Sequence, residues 1–260
     1  MSTGYAYDQA WEHERARLAG IEAMWDPGTQ ALLARHGASR GARVFEAGAG
    51  GGSVVEWLAG QVGAEGHVLA VDLDVRFMQH LASPVVEVRT ADLVSDELPA
   101  RAYDVVHTRL VLEHIPVNEQ VLARLVDCLR PGGTIVVEDY DWTAFGIDAA
   151  DDQDSAHRVT EGILSFMAAM GFDRHYGRKL VSSLTALGLE DVQGEGRSLV
   201  IDADHPGYAF FQLSFEQLAP LAIEAGMMSQ PDADVVGARF AHGDARIITP
   251  TLMAGIGRRG

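Results

Sequence analysis

The sequence predicts an α/β protein built on a doubly wound, mostly parallel sheet, and three observations support this. Short apolar runs alternate with stretches of helical spacing between residues 43 and 139, the order that gives parallel strands joined by crossover helices. One run breaks into four glycines within five positions, Gly48 and Gly50 to Gly52, a bare-backbone turn that lets a polar ligand approach a helix N-terminus. Polar residues gather where each run ends, and ligands of open sheets bind beyond the C-terminal strand ends.

Taken in order, residues 5–25 carry Tyr5, Tyr7, Trp11, Leu18, Ile21, Met24 and Trp25 among charged residues, the pattern of an amphipathic helix. Asp26-Pro27-Gly28-Thr29 reads as a stop, followed by a short helix from Gln30 to Arg35 that ends at Gly37. This arm, residues 1–36, either packs on the core or closes over a cleft, and its aromatic residues could instead serve a homodimer contact. Val44 and Phe45 begin the first strand, and Ser53 to Leu58 is helical. His67–Val71 is a strand, Arg76–Leu81 a helix, Val85–Arg89 and Tyr103–His107 strands, and Glu119–Leu129 a helix. Pro131-Gly132-Gly133 is a turn, and Thr134–Glu138 is the fifth strand. Val192–Ile201 and Ile247–Ile256 bring the strands to seven. Between them, residues 202–244 show helical spacing in Tyr208–Ile223 and Val235–Phe240, and so long a segment is a helical cap insertion, not a loop.

A chain of 260 residues with 47% hydrophobic composition supports one domain over residues 1–260. It divides into the arm, a ligand-binding core at 40–140 and a substrate half at 141–260. Twenty basic against 37 acidic residues give a formal charge of −17, with no basic footprint for nucleic acid or an anionic membrane. A single cysteine, Cys128, makes no internal disulfide or thiolate cage, so the expected compartment is a reducing cytoplasm. No signal peptide or membrane-spanning stretch is expected.

Two ligand classes compete for the glycine turn. A dinucleotide fingerprint asks for a third glycine where Ser53 stands. Glu46 tips the balance, because a carboxylate in the mouth of the cradle repels a pyrophosphate and welcomes an ammonium or a sulfonium.

Five segments in order, Glu46-Ala47-Gly48-Ala49-Gly50-Gly51-Gly52, Val71-Asp72-Leu73-Asp74, Ala91-Asp92-Leu93, Tyr103–Arg109 leading to Leu112-Glu113-His114-Ile115, and Leu129–Gly133, carry a resemblance. The chain resembles class I S-adenosylmethionine-dependent methyltransferases, in the small-molecule branch similar to ubiquinone/menaquinone-biosynthesis methyltransferases. Phe45-Glu46 stands where Leu-Asp is frequent, which keeps charge and bulk. The resemblance implies a Rossmann-like seven-stranded sheet with an antiparallel closing strand, S-adenosylmethionine as methyl donor, S-adenosylhomocysteine as product and a small-molecule acceptor. It implies that Glu46, Gly48, Ala49 and Gly50 hold the methionine moiety and that Asp72 accepts the ribose hydroxyls. It places Leu73 on the adenine face, Asp92 at the adenine amino group with Leu93 alongside, and Thr108 and Arg109 near the transferred methyl. Residues expected to line or cover the acceptor are Tyr5, Trp11 and Arg17 of the arm and Tyr208 and Phe211 of the cap.

In-line displacement at a sulfonium methyl makes a general base optional. If one acts, the candidates are His114, Asp139 and His175. The acidic run Glu138, Asp139, Asp141, Asp148, Asp151, Asp152 and Asp154 is read as a solvated face or helix N-terminus, and no metal is expected. Three other functions fit the same pattern: a different reaction at the same cofactor site such as a cyclisation, a nicotinamide-dependent oxidoreductase, and a non-catalytic binding module.

Overall fold

The structure, a computed structural model, describes residues 13–148 and 152–260; Tyr5, Trp11 and Asp151 lie outside the described residues. Buried positions recur along α1 (Glu14–Arg35) at Arg17, Gly20, Met24, Trp25, Thr29, Leu32 and Leu33, the three-and-four spacing of one helix face. The expected stop at Asp26-Pro27-Gly28 does not end this helix. Pro27 forfeits one backbone hydrogen bond, but three anchors flank it. Trp25 Nε1 donates to the Tyr140 hydroxyl at 2.6 Å, Arg109 donates to Asp26 at 2.8 Å, and Thr29 donates to Glu138 at 2.7 Å.

The chain continues through β1 (Arg43–Ala47), α2 (Ser53–Val62), β2 (His67–Asp72), β3 (Val86–Thr90), β4 (Tyr103–Arg109), α3 (Asn118–Asp127) and β5 (Leu129–Asp141). The helix expected over 76–81 is reduced to one 3₁₀ turn at Gln79–Leu81. There Asp74 accepts from the Arg76 N–H at 3.0 Å, and Met78 fills the space beside Gly52 that a Cβ would need. Pro131-Gly132-Gly133 is not a separate turn. It lies inside β5 as a register shift against β4, held by two 2.8 Å hydrogen bonds between Gly132, Gly133 and the backbone of Arg259.

Beyond β5 come β6 (Gly146–Asp148), α4 (Gln153–Ala169), α5 (Leu180–Ala186), β7 (Glu190–Arg197), β8 (Val200–Ile201), α6 (Tyr208–Glu224), α7 (Gln230–His242), β9 (Arg246–Ile248) and β10 (Thr251–Arg258). Seven strands form one sheet in the order β3-β2-β1-β4-β5-β10-β7, with β10 antiparallel to both neighbours. Each long strand expected at 192–201 and 247–256 is in fact two. The pieces β8 and β9 join β6 in a second, three-stranded antiparallel sheet. Both breaks are tied together, since the Thr249 N–H donates to the Leu199 carbonyl and the Leu199 N–H to Thr249 Oγ1, each at 2.9 Å. Pro250 has no N–H to continue a ladder.

Side chains alternate across the sheet. Val44, Val68, Val105 and Val136 pack under α1 and α2, while Phe45, Leu69, Val106 and Val137 pack under α3 and α5. A third cluster joins Trp25, Tyr140 and Trp142 to α4, α6 and α7. The two-residue period therefore places Glu46, His107 and Glu138 on the α1 side, toward the strand ends. No helix among the described residues is long and apolar enough to cross a membrane.

Candidate active site

The ends of β1, β2 and β4, with the loop after β3, open on a cavity of about 420 Å³ whose wall is completed by α1, α4 and α6. Its floor is the glycine turn. Gly48, Gly50 and Gly52 have φ of +75°, +53° and +88°, a region side chains rarely enter. A Cβ would overlap Val111 at Gly48 and the Glu22 carboxylate of α1 at Gly51. Ala49 lines the same floor.

Asp72, at the end of β2, accepts from the Gly50 N–H at 2.8 Å and the Asp74 N–H at 3.1 Å. Burial raises its carboxyl above the usual carboxylate range, against these lowering hydrogen bonds. Leu73 beside it is 42% exposed and faces the cavity, as does buried Leu93. Asp92 also lines the wall, but its oxygens accept from the Val94 N–H at 2.8 Å and Ser95 Oγ at 3.0 Å, so it also closes its own turn. Glu46 is 2% exposed; its Oε2 lies 2.7 Å from His107 Nδ1. These groups fit a ligand that carries an ammonium, paired hydroxyls and a flat apolar ring, because each finds a carboxylate or a leucine face in the wall.

The same cavity is also walled by Arg17, Leu110, Glu113, His114, Tyr140, Trp142 and Phe210. Arg17 makes a two-pronged ion pair with Glu14, at 2.8 and 2.7 Å, and its guanidinium lies 5.6 Å from the Phe210 ring centre. Burial, with the Arg17 charge adding, pushes the His114 imidazole down to about 3. Burial and the neighbouring Asp139 push the Glu113 carboxyl well up, and Trp142 Nε1 donates to it at 3.3 Å. Asp139 is pushed up to about 8 by burial, opposed by the backbone N–H groups of residues 111–113 that face it.

Several expected site residues stand elsewhere. Thr108 is fully buried within β4, and Asp139 is buried behind Glu113 on the α3 side; neither lines the cavity. His175 sits outside, with Nδ1 3.2 Å from Asp141 and its side chain 41% exposed. Arg109 reaches the wall, yet its guanidinium is committed to Thr29 at 2.9 Å and Asp26 at 2.8 Å. Tyr208 packs edge-on against Phe240, and Phe211 stacks on Phe145 beside a smaller apolar void. In the acidic run, Asp141 pairs with Arg178 and Asp152 with Arg239. Sequence reading missed Trp142 and Tyr140 as lining groups, since no motif marks them, whereas Phe210 of the expected cap does line the cavity. It also missed His107, although its place opposite Glu46 on adjacent strands was implicit in the two-residue period.

Comparison with known proteins adds the following. A family described as a methyltransferase domain matches residues 11–193. Methyltransferase str2 of Strobilurus tenacellus is 32% identical over 146 residues, 55% of this chain and 52% of that protein. Methyltransferase str3 of the same organism is 30% identical over 191 residues, 72% of this chain and 66% of that protein. The chain thus spans about half to two thirds of the length of these relatives. Among solved structures, Haemonchus contortus phosphoethanolamine N-methyltransferase 2, in complex with phosphomonomethylethanolamine and S-adenosylhomocysteine, superposes with a TM-score of 0.59 at 14% identity. It covers all of this chain and 60% of its own, a likeness of fold.

Proposed function

The chain belongs to the methyltransferase-domain family, and on that premise we propose that it transfers the methyl group of S-adenosylmethionine to an oxygen, nitrogen or carbon atom of a small hydrophobic or aromatic metabolite. One observation carries this reading: Glu46 and Asp72 line the same cavity as Tyr140, Trp142 and Phe210. When bound, the cofactor supplies a sulfonium methyl open to nucleophilic attack. Glu46 accepts from the ammonium of its amino-acid end, and Asp72 from the ribose hydroxyls. Leu73 and Leu93 hold the adenine, with Asp92 at the ring edge. The aromatic wall of Tyr140, Trp142 and Phe210 orients the acceptor and keeps water out. Holding two reactants in line accounts for roughly 7–11 kcal/mol of barrier lowering, so the wall needs to position more than it needs to move protons. With His114 pushed down to about 3, its neutral ring is a hydrogen-bond partner and a poor base.

Thermal-shift titration tests the cofactor half. A ligand at one hundred times its dissociation constant stabilises a fold by about 2.7 kcal/mol. S-adenosylhomocysteine is expected to raise the melting temperature, NAD is not, and Asp72→Ala is expected to abolish the rise. Stabilisation by NAD alone would sink the reading. For the acceptor half, mass spectrometry of candidate aromatic metabolites should show the gain of one methyl group.

A further inference from the structure

Beneath the glycine turn runs a buried chain of polar groups drawn from five elements. Glu46 of β1, His107 of β4 and Glu138 of β5 are all at most 2% exposed. His107 Nδ1 lies 2.7 Å from Glu46 Oε2, and its Nε2 lies 3.1 Å from Glu138 Oε2. Thr29 of α1 donates to Glu138 Oε2 at 2.7 Å, and Arg197 of β7 donates to Glu138 Oε1. Arg109 of β4 donates to Thr29 Oγ1 at 2.9 Å and to Asp26 of α1 at 2.8 Å.

Counting donors fixes most of the protons. Because Arg109 donates to the Thr29 oxygen, the single hydroxyl proton of Thr29 goes to Glu138. Arg197 donates to the other Glu138 oxygen, so Glu138 is an acceptor throughout. His107 Nε2, facing that carboxylate, must then carry a proton. One proton remains to be placed, between Nδ1 and Glu46. A carboxylate that receives an ammonium has to be ionised, so in the binding state this proton sits on Nδ1 and Glu46 keeps its charge. A bare Nδ1 would instead set a lone pair against the carboxylate and turn Glu46 away.

We propose that His107, which does not line the cavity, is the positioning residue for the amino-acid end of the cofactor: by donating from Nδ1 it holds Glu46 as a carboxylate and fixes which way it points. The assignment rests on the methyl-transfer reading above. The groups facing the ring are Glu46 from β1 and Glu138 from β5. Glu138 is in turn braced by Thr29 and Arg197, and Thr29 by Arg109 and Asp26. Arg197 has space only because Gly28 lacks a Cβ, which would overlap its guanidinium.

The test compares two ligands by calorimetry on the full chain. S-adenosylhomocysteine has the amino-acid end, whereas 5′-methylthioadenosine lacks it. Asn at position 107 keeps a donor in the place of Nδ1, and Gln keeps one in the place of Nε2. His107→Asn is therefore expected to bind S-adenosylhomocysteine within about threefold of the parent, and His107→Gln and His107→Leu to bind it roughly 10- to 100-fold more weakly, the range of one charge-assisted hydrogen bond. All four proteins are expected to bind 5′-methylthioadenosine alike. Equal loss for both ligands, or unchanged S-adenosylhomocysteine affinity in His107→Gln, overturns the proposal. A parent protein that binds 5′-methylthioadenosine but not S-adenosylhomocysteine overturns it too, and one that binds neither overturns the cofactor reading and this proposal with it. If the variants fail to fold, the parent decides: nitrogen-15 spectra of the histidine-labelled complex with S-adenosylhomocysteine should show one ring protonated on both nitrogens, and their absence counts against His107.

Discussion

His114 sits with its ring centre 5.0 Å from that of Phe172, under the field of Arg17. With its imidazole pushed down to about 3, an NMR titration of this ring should show no protonation step between pH 5 and 8; a midpoint near 6.5 would return it to the list of bases. Asp139 makes the opposite case. Its carboxyl, pushed up to about 8 by burial, stays protonated in the fold over a range where the unfolded chain, near 3.9, has ionised. The stability it contributes is therefore fully present below about pH 4 and is lost as pH rises through about 8. The melting temperature should fall from pH 5 to 9, and Asp139→Asn should flatten that slope; an equally steep slope in the variant would refute the assignment. Neither shift was legible in the sequence, because each arises from neighbours far away in the chain. The identities at the strand ends, Glu46 and Asp72, were legible, since a carboxylate beside a glycine turn already implies a cation.

Among the elements, α1 departs most from expectation. Its amphipathic stripe was readable, yet the proline looked like an end, because local propensity cannot register the anchors at Trp25, Asp26 and Thr29. The alternation from β1 to β5 was readable because each buried strand declares itself locally. The splitting of the last two strands was not, as it depends on Thr249 meeting Leu199. Gly20 marks where α1 crosses α6: a Cβ there would stand 2.8 Å from the Phe210 backbone nitrogen, too close for either helix to remain in place. Gly20→Val should cost about 1–3 kcal/mol, the usual penalty of overpacking, and hydrogen exchange should rise along α1 and α6 while β1 and β4 stay protected. Uniform loss of protection would show instead that α1 belongs to the global folding unit.

The whole molecule carries a formal charge of −17, and within it the cavity wall sets Glu14, Glu22, Glu46, Asp72, Asp74 and Asp92 against Arg17 and Arg109. Such a field draws in cations and is screened by salt. S-adenosylmethionine, with its extra positive charge, should therefore associate more slowly as ionic strength rises from about 10 to about 300 mM, because the screening length shortens from about 30 Å to about 6 Å, while S-adenosylhomocysteine should change little; parallel slopes would mean that steering is absent. α1 has a further consequence at this scale. Leu18 and Glu22 stand over the glycine turn, and Arg17 on the same helix lies against Phe210 in the same cavity wall. One rod therefore roofs the bend and the aromatic side alike, so a substitution that loosens its seat would unroof both at once.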